Sequence, residues 1–132
     1  MRQLLVFFAG FALLLTACGG GNTPTTLTGD ATRGEALFQQ TTIGANNAPG
    51  CVTCHSLEAG VTLVGPSQAN VGTRAATAVE GQSAEQYLHE SIVNPDAHVA
   101  DGFTAGVMYP NYAKDLSEQE VADLVAYLLT LK

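Results

Sequence analysis

The chain has 132 residues, of which 46% are hydrophobic and 13% are charged, and this balance indicates a packed domain and argues against a disordered chain. Its length is short for more than one globular domain. The 12 acidic residues outnumber the 5 basic ones and give a net charge of −7, which argues against nucleic acid as a partner.

The first 17 residues have the pattern of an export signal. Arg2 supplies a positive charge, residues 4–15 form an apolar stretch, and small residues follow. This stretch has about a dozen residues, whereas a membrane-spanning helix needs roughly 20. We therefore predict that residues 1–17 are a signal peptide. An uncleaved transmembrane anchor is the less favoured alternative.

The signal is followed by a cysteine in a recognisable context. Residues 15–18 read Leu-Thr-Ala-Cys and resemble the lipobox of bacterial lipoproteins, in which the cysteine is acylated and becomes the first residue of the mature protein. The resemblance implies an exported protein that is anchored by lipid on Cys18, at the outer face of the cytoplasmic membrane or on its periplasmic side. Several acyl chains would hold it firmly, because each buried methylene contributes about 0.8 kcal/mol.

Residues 18–29 are rich in Gly, Thr and Pro and have no hydrophobic period, which predicts a flexible tether with a reach of about 20 Å. Loss of a signal that carries Arg2 and no acidic residue takes the net charge from −7 to −8. An acidic surface suits a partner with a basic docking patch, because complementary fields raise association rates. The acidity is equally well explained as a contribution to solubility alone.

The first predicted helix follows Asp30, a favourable N-cap, and extends through residues 31–40. Gly34 lies inside it, although glycine disfavours helix formation. We expect a second helix to cross closely at Gly34. The alternative is that the helix simply tolerates the glycine.

Two further helices begin at capping boxes. Ser83 and Gln86 mark the start of a helix that ends at residues 94–95, where asparagine precedes proline. Ser117 and Glu120 mark the start of the last helix, whose apolar residues recur at helical spacing up to the C-terminus.

Long segments rich in Gly, Asn and Pro separate these helices, at residues 41–50, 63–72 and 94–111. Loops of this length are unusual in so small a domain. Three helices alone would make a poor core, so we expect a large apolar cofactor to complete it.

Residues 50–57 contain Cys51, Cys54 and His55, which form the Cys-x-x-Cys-His signature of c-type haem attachment. Two thiols one turn apart reach the two vinyl groups of one porphyrin, and the adjacent histidine is carried under the iron. Export agrees with this interpretation, because bacteria attach this haem outside the cytoplasm. The sequence therefore predicts one covalently bound haem c, with His55 as the proximal iron ligand.

Three other uses of the two cysteines account for fewer features of the motif and its surroundings. A zinc site requires a second pair of ligands, and only His89 and His98 remain, at poor spacing. A thioredoxin-like redox pair requires an α/β context, but loop and helix flank this motif. A disulfide between Cys51 and Cys54 is compatible with export and gives no role to the adjacent histidine.

The iron needs a sixth ligand, and Met108 is the only methionine that follows the signal. It lies in a Gly- and Pro-rich loop and not on a helix face, which disfavours a role as core filler. A thioether suits the iron and raises its potential relative to a second imidazole. His98, on the same loop, is the main rival, whereas His89 is expected on the polar side of its helix, facing solvent.

Four stretches of the mature chain, residues 29–39, 63–75, 85–95 and 108–131, resemble class I cytochromes c. The resemblance covers essentially the whole of residues 30–132. It implies an all-α fold of three to five helices around one covalently bound haem. It also implies that Gly34 and Phe38 meet the last helix near Tyr127.

The resemblance further implies that the carbonyl of Pro66 accepts the Nδ1 proton of His55 and fixes its tautomer. This chain departs from similar sequences at three positions. They tend to have leucine where Gln68 stands, arginine where His89 stands, and proline where Tyr109 stands.

The last two stretches are most similar to cytochrome c domains of terminal oxidase subunits and other membrane respiratory complexes. The resemblance implies an electron-transfer protein and not an enzyme, working with redox protein partners in a respiratory or photosynthetic chain. It would act as a tethered shuttle or as a subunit of a membrane oxidoreductase complex. The alternative is a haem enzyme or gas-binding sensor, which requires an open distal iron site and therefore that Met108 does not bind.

Overall fold

A computed structural model of the protein describes residues 27–132. The predicted signal peptide, Cys18 and most of the predicted tether lie outside these residues. Helices dominate the described part of the chain, and a two-stranded antiparallel sheet pairs Thr42 with Pro49 and Ile43 with Ala48. None of the helices between residues 27 and 132 has the length and apolar character needed to cross a bilayer.

The elements in chain order are α1 (Ala31–Phe38), β1 (Thr42–Ile43), β2 (Ala48–Pro49), a 3-10 turn (Cys51–Thr53), α2 (Val71–Arg74), a second 3-10 turn (Ala75–Thr77), α3 (Ala84–Val93), α4 (Tyr112–Asp115) and α5 (Glu118–Thr130). The prediction of an all-α fold with three to five helices is confirmed.

The three predicted helices correspond to α1, α3 and α5. Asp30 caps α1 as expected, since its side chain accepts from the backbone of Thr32 and Arg33, but α1 ends at Phe38, two residues before the predicted end. Both halves of the capping box are present at the start of α3 and at the start of α5. The four-residue helices α2 and α4 were not predicted, because one turn is too short to show a hydrophobic period.

Helix α5 lies at the centre of the core and packs most extensively on α1. A Cβ atom on Gly34 would collide with the backbone of Asp123 and with the Cβ of Tyr127. One turn further on, the rings of Phe38 and Tyr127 lie 5.5 Å apart. The close crossing expected at Gly34 is confirmed, because only a residue without a side chain lets the two backbones approach this far.

A buried carboxylate fastens the same pair of helices. Asp123 is 3% exposed. It accepts hydrogen bonds from Arg33 Nε at 2.7 Å, from the backbone N–H of Asp30 at 2.8 Å and from Gln119 Nε2 at 2.8 Å. The hydrogen bond from Arg33 is the main reason that the pKa of Asp123 is lowered to about 2. The carboxylate therefore stays ionised and holds the N-terminus of α1 on α5.

Because Asp123 is ionised in the folded protein, we expect it to make the stability fall at acid pH. The variant Asp123→Asn should lack this contribution. The pKa of Asp123 in the folded protein lies below its ordinary value of 3.8. Its contribution to stability is therefore complete above about pH 4 and is lost as the pH falls towards 2. At neutral pH the variant should lose about 1 to 2 kcal/mol, since Arg33 is half exposed and its charge is partly screened.

Urea unfolding of the holoprotein at a series of pH values measures this difference. The exposed Asp101→Asn variant is the control and should behave as the wild type. Equal stabilities of wild type and Asp123→Asn at neutral pH would contradict the role given to this carboxylate.

Candidate haem-binding site

The Cys-x-x-Cys-His segment begins directly after β2. Gly50 donates its backbone N–H to the carbonyl of Thr41 at 2.8 Å, and a Cβ atom there would collide with the carbonyl of Gln40. The chain then turns tightly, because the N–H groups of Cys54 and His55 both donate to the carbonyl of Cys51, at 3.1 and 2.9 Å. A single turn therefore brings together both cysteines and the histidine.

The imidazole of His55 is held by the loop that follows it. Its Nδ1 lies 2.8 Å from the carbonyl oxygen of Pro66, the contact that the family resemblance implies. Gly65 donates its N–H to the carbonyl of Cys54 at 2.9 Å, and a Cβ on Gly65 would collide with the imidazole ring. The ring thus lies close against Gly65, and the hydrogen bond to Pro66 fixes its orientation.

Burial lowers the pKa of His55, and the hydrogen bond to Pro66 offsets part of this effect. The ring is therefore neutral at neutral pH. Because a carbonyl oxygen only accepts, the proton of the neutral ring lies on Nδ1. Nε2 then keeps its lone pair and is the nitrogen that is able to bind a metal.

The two cysteines are half-buried thiols and are not joined by a disulfide. Burial raises the pKa of Cys51 to about 11, so this residue is a protonated thiol at neutral pH. The thioredoxin-like alternative fails, because a two-residue strand precedes the motif, a 3-10 turn forms its first three residues, and no α/β unit is present in residues 27–132. A zinc site also fails there, since no three His, Cys, Asp or Glu residues of that part of the chain are grouped to hold a metal.

Met108 lies in the long loop between α3 and α4. Its side chain is partly buried and packs on the rim of the hydrophobic core, as does that of Cys51. Tyr109, the next residue, donates from its hydroxyl to Asp115 at 2.6 Å, and the same carboxylate accepts from Asn46 Nδ2 at 2.5 Å. These bonds tie the methionine loop to the β1–β2 hairpin that precedes the cysteines.

The other two histidines lie outside this arrangement. His98 is exposed, and its ring packs edge-on against that of Tyr87 at 5.6 Å. His89 is exposed on α3, as the sequence predicted. Neither has the fixed ring orientation that His55 receives from Pro66 and Gly65.

One residue near His55 had no role in the sequence analysis beyond its departure from the family pattern. The side-chain amide of Gln68 lies 2.9 Å from Nδ1 of His55 and 3.2 Å from the carbonyl oxygen of Pro66. The presence of glutamine where similar sequences have leucine was the one available signal. Its contact with the imidazole depends on the path of the loop, which the sequence does not show.

Large apolar side chains on the loops that carry Pro66 and Met108 are left exposed. Leu63, Val64 and Val107 are 49%, 56% and 55% exposed, and they flank the histidine and methionine loops. Exposed apolar side chains on these two loops are available to pack against an apolar group. Two thiols, a neutral imidazole with one free nitrogen, a thioether and exposed apolar side chains on the same loops together fit haem c.

Comparison with known proteins gives the same result. The family model described as Cytochrome c matches residues 31–132, which include every element from α1 to α5. A search of curated proteins found no match. The match spans most of the chain, and membership of this family implies covalently bound haem c. This chain belongs to the cytochrome c family, as a class I c-type cytochrome whose haem serves electron transfer.

Proposed function

We propose that this protein is a membrane-anchored carrier of single electrons, with haem c bound through Cys51 and Cys54 and with His55 and Met108 as the iron ligands. Haem c supplies a one-electron couple at its iron when it is bound. The fixed imidazole of His55 carries the proposal. Its Nδ1 lies 2.8 Å from the carbonyl oxygen of Pro66, and its Nε2 remains available for the iron.

Cys51 and Cys54 would attach the ring by thioether bonds, each thiol adding its sulfur and its proton across one vinyl group. The tight turn supports this role, since it places the two residues and His55 within one hydrogen-bonded segment. Covalent attachment at a fixed turn keeps the ring in one orientation relative to the protein. It would also retain the ring while electrons pass in and out.

Met108 would close the distal side of the iron against small molecules. Support comes from its partial burial on the core and from the anchoring of its neighbour Tyr109 to Asp115. A thioether in a restrained loop favours the reduced iron and leaves no open position for a substrate. The alternative of a haem enzyme or gas sensor needs an open iron and a distal acid or base. The exposure of His89 and His98 gives that alternative no support.

The membrane attachment rests on the lipobox resemblance at Cys18 and on the composition of the tether. The last tether residues meet the folded domain: Gln119 donates to the carbonyl of Thr28 at 3.0 Å, and Gly29 packs against the backbone of α5. If the rest of the tether is flexible, as its composition predicts, the folded domain would move around an anchored Cys18. Docking to redox proteins with a basic patch would suit the acidic chain.

This tethered shuttle and a fixed subunit of a membrane oxidoreductase complex remain the two forms of the proposal. Either form would work in a respiratory or a photosynthetic chain. The composition of residues 18–29, which predicts a flexible tether, supports the shuttle, and the resemblance to domains of membrane respiratory complexes supports the subunit.

Replacement of the distal ligand tests the closed iron site. Reduced wild-type protein should bind carbon monoxide slowly or not at all, whereas reduced Met108→Ala should be converted essentially completely to the carbon monoxide complex. The physical reason is the vacant sixth position that alanine leaves on a haem still attached by two cysteines. Absorbance spectra before and after addition of the gas measure the conversion.

The matched control is His98→Ala, which removes the rival ligand and should bind as little carbon monoxide as the wild type. Ready binding by the wild type would contradict the closed carrier. Ready binding by His98→Ala, without binding by Met108→Ala, would assign the sixth ligand to His98.

The lipid anchor is tested by labelling cells with a radioactive fatty acid. The wild-type protein should take up the label. Cys18→Ser should lose it completely, because the lipid would be attached through the sulfur of Cys18. Gly21→Ser, a change in the same tether that keeps Cys18, should be labelled as the wild type. Wild-type protein without label would contradict the lipoprotein proposal and would leave the assignment of haem ligands intact.

A further inference from the structure

The side-chain amide of Gln68 takes part in a three-way contact behind His55. The amide lies 2.9 Å from imidazole Nδ1 and 3.2 Å from the Pro66 carbonyl oxygen, while Nδ1 and that oxygen are 2.8 Å apart. All three groups are polar and half-buried. Their hydrogen bonding must therefore be mutually consistent, because an unpaired polar group away from water is costly.

The proton on Nδ1 decides which end of the amide faces the ring. An imidazole that binds iron through Nε2 carries its proton on Nδ1 and donates it. The structure has Nε2 of Gln68 at the position 2.9 Å away, and with the proton on Nδ1 two N–H groups would face each other. A half-turn of the amide places Oε1 at this position instead, at little steric cost, since the two ends of the group are nearly the same size.

We propose that Gln68 is a positioning residue that supplies a second acceptor for the Nδ1 proton of His55. The imidazole N–H is then shared between Oε1 of Gln68 and the carbonyl oxygen of Pro66. Two acceptors draw the proton away from the ring more strongly than one and make Nε2 a stronger electron donor. A stronger donor stabilises the oxidised iron, so Gln68 lowers the reduction potential of the carrier.

The proposal rests on the proposed ligation of iron by His55. It goes beyond that ligation because Gln68 would act through His55 and would not itself bind the iron. The proposal also fixes the sign of the effect, since Gln68 should lower the reduction potential. In the orientation that the structure records, Nε2 donates to the Pro66 carbonyl at 3.2 Å, which would weaken that acceptor and raise the potential. The two orientations of the amide therefore predict opposite changes of potential in Gln68→Leu.

The test compares the reduction potential of wild-type holoprotein with that of Gln68→Leu, which removes the amide without changing the charge. At a fixed solution potential the ratio of reduced to oxidised protein should rise about fivefold, which is about 40 mV for a one-electron couple. Gln68→Glu, which accepts and does not donate when ionised, should show no such rise. The exposed Gln40→Leu, away from the 65–70 loop, is the matched control and should keep the wild-type potential.

A second measurement separates the hydrogen bond from the general effect of an apolar side chain. In the reduced protein labelled with nitrogen-15 histidine, the Nδ1 proton of His55 should move upfield and exchange faster with water in Gln68→Leu. A potential that rises while this resonance stays in place would overturn the proposal, since leucine would then act only by excluding water. A potential that falls or does not change would also overturn it.

The wild-type protein itself distinguishes failure of this proposal from failure of the proposed function. A wild-type iron that is not bound by His55 overturns both. A wild-type iron with His55 and Met108 bound, together with an unchanged Gln68→Leu, overturns the role of Gln68 alone.

Discussion

The hydrogen bond between His55 Nδ1 and the Pro66 carbonyl is the interaction on which the site depends, because it decides which imidazole nitrogen is free to bind iron. The loop that supplies this carbonyl is fastened at both ends. Gly65 donates to the carbonyl of Cys54, and Gly72 donates to that of Leu131 just beyond α5. The end of α5, the helix that packs on α1 at Gly34 and Asp123, thus helps to hold the loop whose Pro66 carbonyl contacts His55.

The loop that carries Met108, the proposed distal ligand, is held by a different set of contacts. Asp115 accepts from Tyr109, next to Met108, and from Asn46 in the β1–β2 turn, while its backbone carbonyl accepts from Ala45 at 2.9 Å. The hairpin that leads into the cysteines and the loop that carries the methionine are therefore bound to the same residue. A shift of one loop would be transmitted to the other, which suits a metal site whose two ligands come from distant parts of the chain.

Local signals in the sequence were sufficient to predict the three long helices and the haem motif. The capping boxes at Ser83 and Ser117 are complete within four residues, and Cys-x-x-Cys-His is complete within five, so both are visible without knowledge of the fold. The one-turn helices α2 and α4 lack such signals. The contacts of Gln68 and Tyr109 were not predicted either, because their partners are 13 and 6 residues away and only the path of the loops brings them near.

The central claim is that Cys51 and Cys54 hold one haem c beside a fixed His55, and the intact mass of the exported protein tests it most directly. After extraction with acidified acetone and exposure to an alkylating reagent, the protein should keep the added mass of one haem, and both cysteines should be unmodified. This outcome is expected because two thioether bonds survive the extraction and leave no free thiol. A protein that loses the haem mass, and whose Cys51 and Cys54 are both alkylated, would contradict the account.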